Sequence, residues 1–224
     1  MLNISYKESK NKHLKIVADS DHVILSKIIT YLQHTLNKSK IKVLNIGGGY
    51  VKPNEIYLSQ NKDVDYYVLD LNNPENQTNL IVADITDNNL NIQHTFDFIY
   101  SKDTFEHILN PWEATKNIKK MLNEKGIILC IAPFCWRYHA CPVDTYRYSH
   151  TGLRYILEYL SEIEHIFSGY KDCGPTNGFW KDTTDFTLDG NPFSVSQEAY
   201  YIGVKNKDYK FTIENFDRGT LIFY

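Results

Sequence analysis

Apolar positions along the chain alternate between helical and strand-like spacing. Between Asp19 and Leu36, Ile24, Leu25, Ile28, Ile29 and Leu32 form one apolar stripe, with Ser20 or Asp21 placed to cap it, and this predicts an amphipathic helix. "IKVLNIGGG" follows, a short apolar run ending in glycines that suits a buried parallel strand and a tight turn. A short helix is expected after Pro53, through Ile56 and Leu58. Further strands are predicted over 63–71, ending at Asp70, over 79–84, ending at Asp84, and over 96–101 and 126–134. The helix before the last of these is signalled by Asn110 as cap, Pro111 in the first turn and Glu113 three residues after the cap, with Gly126 as its stop. Leu153, Ile156, Leu157 and Leu160 mark another helix, and 162–170 and 198–204 read as two closing strands.

Strands that alternate with helices predict an α/β fold, a doubly wound and mostly parallel sheet with helices on both faces. Ligands of such sheets bind at the carboxyl ends of the strands, near the point where strand order reverses. The glycines at 47, 48 and 49 end the first predicted strand, and Asp70 and Asp84 end the second and third. Glycines there let backbone approach a ligand closely, and a carboxylate at the second strand's end suits a ribose diol. A dinucleotide fingerprint starting at Gly47 would need Gly or Ala at position 52, where Lys52 stands.

The segments "VLNIGGGYV", "VLDLN", "VADITD", "FDFIYSKDTFEHILNPWEATKNIKKMLNEKGIILCIAPF" and "EAYYIGVKNK" resemble, in order and spacing, the motifs of class I S-adenosylmethionine-dependent methyltransferases of the small-molecule branch. The resemblance covers roughly residues 40 to 205. It implies a Rossmann-like, seven-stranded sheet whose last strand is antiparallel, with S-adenosyl-L-methionine as cofactor. It also implies roles. Gly47 and Gly49 lie under the methionine portion, Asp70 holds the ribose, the adjoining Leu71 is a further cofactor-binding position, Asp84 and Ile85 face the adenine, and Ser101 lines the methyl-donor cleft. Asn45 stands where the family usually has an acid near the cofactor's amino group, so weaker cofactor binding is expected there.

The segment "PFCWRYHACPVDTYRYSH" follows the fifth predicted strand, and 137, 147 and 154 are three of only four arginine positions in the chain. It is similar to a segment of methyltransferases linked to sugar and cell-surface glycan modification, which implies a small-molecule or glycan acceptor. In-line methyl transfer to a hydroxyl needs a base. His139 is the first candidate, because an imidazole titrates near neutrality, with Asp144 to orient it. Arg147 is a candidate grip for an anionic acceptor, unless it pairs with Asp144. Tyr138 and Tyr146 are candidates to stack on the acceptor, and His107 is a second site histidine. Trp136 and Trp180 are candidate pocket walls, and "CGPTNGFW" at 173–180 a closing loop. The spacing of Cys135, His139, Cys141 and Asp144 matches no familiar zinc pattern, so no metal is expected.

The resulting plan is a single methyltransferase domain over 1–205, with a helical N-terminal extension (1–38), an acceptor-side insertion (134–150) and an unplaced C-terminal appendage (206–224). A net charge of −3 and scattered lysine clusters point away from nucleic acid. No run approaches the roughly 20 apolar residues of a membrane span. The N-terminus lacks the apolar core of a signal peptide, and four cysteines without a CxxC pair read as free thiols, so a cytoplasmic enzyme is expected. The competing readings are an NAD-dependent oxidoreductase and a non-catalytic binding protein that keeps the fold.

Overall fold

A computed structural model describes residues 2–8, 15–49, 53–73, 78–136, 138–140, 143–159, 161–175 and 195–212. Lys52, Trp180 and the predicted loop from residue 176 onward lie outside the described residues. The strands are β1 (Tyr6–Glu8), β2 (Lys15–Val17), β3 (Ile41–Ile46), β4 (Val64–Asp70), β5 (Leu80–Val82), β6 (Phe96–Lys102), β7 (Leu122–Cys135), β8 (Ile163–Pro175) and β9 (Val195–Lys205). The helices are α1 (Asp21–Leu36), α2 (Pro53–Gln60), α3 (Pro111–Met121) and α4 (His150–Glu158), with one 3-10 turn at Phe105–His107.

Seven strands form the sheet proper, in the order β5-β4-β3-β6-β7-β9-β8. All run parallel except β9, which is antiparallel to both β7 and β8. In the N-terminal region the expected helix forms as α1, and two strands that were not expected precede it. β1 and β2 pair antiparallel ahead of α1 and extend the sheet beyond β8 through Ile16 beside Tyr170.

Central strands bury both faces, which explains their nearly unbroken apolar runs. Along β7, Ile127, Leu129 and Ile131 enter one core with Ile24, Leu25 and Ile28 of α1 and Leu58 of α2. The intervening Ile128, Cys130 and Ala132 enter the other, with Ile118 of α3 and Leu153 and Leu157 of α4. Caps set the helix starts: the Ser20, Asn110 and Ser149 side chains accept from the backbone N–H of Val23, Glu113 and Gly152.

Gly126 does not stop α3. The helix ends at Met121, Leu122 is already extended, and Lys125 takes a left-handed turn at φ 64°. Gly126 instead allows two backbone segments to approach, since a Cβ there would lie 2.8 Å from the Asn123 carbonyl oxygen and 3.0 Å from that of Asp97.

The start of the C-terminal appendage packs back on α4. Phe211 meets the Tyr155 and Tyr159 rings edge-on, and the Tyr209 hydroxyl donates to Glu158. Glu158 is fully buried and pairs with Arg154 at 2.9 Å. Arg154→Met leaves that carboxylate without its cation, and breaking a buried pair costs about 3 kcal/mol. Urea unfolding should read this loss, and an unchanged midpoint would refute it.

Candidate active site

The chain leaves β3 toward β4 on one side and returns through β6 on the other, so the backbone diverges at the carboxyl ends of β3 and β6. A cleft of about 680 Å³ opens there. Ile46, Gly47, Asp70, Leu71, Asp84 and Ile85 line one end, and Glu106, His107, Trp136 and His139 the other.

At the first end, Gly47 has φ +80°, and a Cβ on it would collide with the Thr104 side chain at 2.1 Å. Thr104 is itself tied down, its hydroxyl donating to the Ile46 carbonyl at 3.2 Å. The Gly49 N–H donates to Asp70 Oδ2 at 2.8 Å, and the Asn72 N–H donates to Oδ1 at 3.2 Å. The Asp70 carboxylate is therefore oriented before any ligand arrives. Gly49 is needed beneath it, because a Cβ would lie 2.7 Å from Oδ2. Asp84 accepts from the N–H and hydroxyl of Thr86. Leu71 is half exposed and Ile85 buried, which gives this end apolar walls. An acid for a diol, a second acid and two apolar surfaces fit an adenosine moiety.

At the other end, the segment after β7 folds back onto the 3-10 turn. The Thr145 N–H and hydroxyl both donate to the Glu106 carbonyl at 2.8 Å. The Tyr148 hydroxyl donates to the Phe105 carbonyl, and the Tyr146 hydroxyl to that of Leu109. These bonds bring His139 beside Glu106 and His107, its ring 5.0 Å from the His107 ring and edge-on to it. Asp144 steers His139 twice, accepting from its backbone N–H at 2.7 Å and facing its Nδ1 at 3.3 Å. Asp144 is fixed in turn by the fork of Arg147, which donates from Nη2 to Oδ2 at 2.7 Å and holds the carboxyl down at about 2. Glu106 is fully buried, neither oxygen is hydrogen-bonded among the described residues, and burial pushes its carboxyl up to about 8.

Several predicted site residues stand elsewhere. Asn45 points under α2, its amide donating to Tyr66 Oη at 3.0 Å and Glu55 Oε1 at 3.3 Å, and it does not line the cleft. The buried Ser101 hydroxyl donates to the Ile46 carbonyl and does not line the cleft either. Arg147 turns into its own loop, donating to Asp144 and to the Trp136 and Tyr146 carbonyls, and it fastens that loop. Tyr138 is 72% exposed and Tyr146 packs on Tyr148, and neither lines the cleft.

Glu106, Asp103, Gln197 and Glu198 do line it and were not anticipated. Asp103 takes a left-handed φ of 53°, a strained conformation of the kind that collects at functional sites. Glu198 pairs with Lys102, which also pairs with Asp21 at the start of α1. Glu106 had a local signal in its neighbour His107; the others had none, because their place depends on strand register.

Residues 20–167 match the family model of a methyltransferase domain. No curated protein matches the chain. Solved structures with the same fold include TehB from Haemophilus influenzae (19% identity, TM-score 0.50), covering 80% of this chain; the chain spans only 61% of that structure. An S-adenosylmethionine-dependent methyltransferase from Clostridium acetobutylicum matches at 14% identity and TM-score 0.52, over 84% of this chain and 93% of its own. Coclaurine N-methyltransferase bound to N-methylheliamine and S-adenosylhomocysteine matches at 12% and 0.51, over 81% and 72%. Such identities establish shared architecture only. Among the described residues, no helix is long and apolar enough to cross a membrane.

Proposed function

The chain belongs to the methyltransferase domain family, and from that premise we propose that it transfers a methyl group from S-adenosylmethionine to a hydroxyl of a small polar acceptor, a sugar or glycan precursor. The enzyme class and the cofactor follow from the family, which also sets aside the oxidoreductase alternative. The hydroxyl acceptor is our own reading. The observation that carries it is the cluster of His139, His107 and Glu106 at the end of the cleft opposite Asp70. Amines attack through a neutral lone pair, whereas a hydroxyl must lose its proton, and this cluster supplies basic nitrogens beside a buried carboxyl.

The cofactor, when bound, supplies a methyl group already activated on a sulfonium sulfur. What remains for the protein is to hold, align and exclude water. Asp70 would hold the ribose hydroxyls, and Asp84 with Ile85 and Leu71 the adenine. The backbone at Gly47 can approach the methionine portion because no Cβ stands on it. His139, steered by Asp144, stands with Glu106 and His107 where the acceptor proton is lost. Trp136 and Leu109 line the rim, and a flat aromatic edge suits the apolar face of a sugar ring.

Incubating the protein with isotopically labelled donor and a mixture of nucleotide sugars and glycan precursors tests the reading. The expected result is a product heavier by one methylene, labelled at an oxygen. Labelling at nitrogen would refute the hydroxyl acceptor.

A further inference from the structure

Glu106, His107 and His139 offer one oxygen and two nitrogens that all lie within 4.8 Å of one another. We propose that these three side chains bind one divalent transition-metal ion at the acceptor end of the cleft. The Nε2 atoms of His107 and His139 lie 3.5 Å and 3.8 Å from Glu106 Oε1. Donors around a tetrahedral ion of zinc size sit roughly 3.4 Å apart; the two oxygen–nitrogen edges are near that value, and the edge between the rings, within 4.8 Å, closes as the imidazoles turn toward the ion.

The partners of the two rings support the same assignment. His107 Nδ1 meets the Val143 carbonyl, and His139 Nδ1 faces the Asp144 carboxylate at 3.3 Å. A ring whose Nδ1–H is committed to a carbonyl or carboxylate presents its Nε2 lone pair, which is how supporting groups orient histidine ligands. Asp144, locked by Arg147, and the Val143 carbonyl then become the outer support of the site. Both stand on the segment that folds back onto the 3-10 turn.

Glu106 supplies the third argument. Its carboxyl is wholly buried, lines the cleft, and among the described residues meets no hydrogen-bond partner at either oxygen. A buried polar group without a partner is costly, and a divalent cation would offset that cost. Among the described residues, Cys135 and Asp144, weighed for zinc on spacing, are not in the cluster, and Cys141 lies outside the described residues. The set is two imidazoles and one carboxylate, which suits Zn²⁺ and its neighbours and leaves a further position open to the cleft.

The ion's role rests on the methyl-transfer reading. An acceptor hydroxyl held at the open position would be acidified and would shed its proton to bulk solvent as it enters the cleft, and its oxygen would then take the methyl as the donor's methyl–sulfur bond breaks and leaves a neutral thioether. His139 then acts as a ligand, and the ion bears the acceptor oxygen.

The test uses the protein stripped with a chelator and dialysed, titrated calorimetrically with Zn²⁺ and by visible absorption with Co²⁺. One equivalent should bind. Glu106→Gln, His107→Ala and His139→Ala should each weaken binding about 100-fold. Should the buried Glu106 variant fail to fold, the two histidine variants carry the test. S-adenosylhomocysteine should bind all three folded variants as it binds the parent. Absence of one-equivalent binding by the parent, or unchanged metal affinity in both histidine variants, overturns the metal site and leaves the methyltransferase reading standing. Failure of the parent to bind S-adenosylhomocysteine would overturn the methyltransferase reading instead.

Discussion

Asp70→Ala should remove calorimetrically measurable binding of S-adenosylhomocysteine, a loss of at least about 100-fold if two charge-assisted hydrogen bonds of about 1.5–3 kcal/mol each disappear. The Asp70 carboxylate is preset by the Gly49 and Asn72 N–H groups, so no reorganisation is needed when a ribose diol arrives. The same bonds define the turn after β3, so the variant also loosens Gly49. Asp70→Asn separates these effects, because its side-chain oxygen still accepts from one N–H but carries no charge. It should bind with intermediate affinity and keep the parent's unfolding midpoint. Parent-like affinity in Asp70→Ala would refute the placement of the cofactor at this end of the cleft.

His139→Ala should lower kcat by a factor of about 10²–10⁴ while S-adenosylhomocysteine affinity stays within about twofold of the parent. The ring follows β7, three strands along the sheet from β4, whose end carries Asp70, so its removal should touch the acceptor chemistry and not the cofactor grip. Its backbone N–H still donates to Asp144, which keeps the segment's shape after truncation. Single-turnover measurements with saturating donor read the chemical step directly. Turnover equal to the parent's would remove His139 from the reaction.

The elements themselves were legible in the chain because they rest on local physics. The 3.6-residue stripe of Ile24 to Leu32 and the Asn110–Pro111–Glu113 start both identified helices found in the structure. The long apolar run before Pro133 proved to be a strand buried on both faces. Gly47 and Asp70 were legible as cleft positions, and both line the cleft, because the carboxyl ends of strands in a doubly wound sheet open onto it. Gly126 was misleading. A glycine near a helix end usually marks a cap, but here it serves a backbone approach that only the neighbouring strand reveals.

The candidate site was legible in part. His139 and Asp144 could be read as partners from one segment. The alternative weighed for Arg147, pairing with Asp144, is the one found. Asn45 carried a doubt about cofactor charge, yet its side chain is engaged with Tyr66 and Glu55 beneath α2, outside the cleft lining. A strand residue faces one side of the sheet or the other, and for a strand buried on both faces the sequence does not say which.

By itself the sequence determined the alternation of strands and helices, the glycine turn and the acids at strand ends, because spacing, capping and side-chain size act between near neighbours. Only the tertiary structure decided that Glu106 is a buried carboxyl, without hydrogen-bond partners among the described residues, facing two imidazoles. That environment is made by the segment after β7 closing over the 3-10 turn after β6, through contacts between residues far apart in the chain. Burial and the company of charges are properties of such contacts, and no local pattern of residues encodes them.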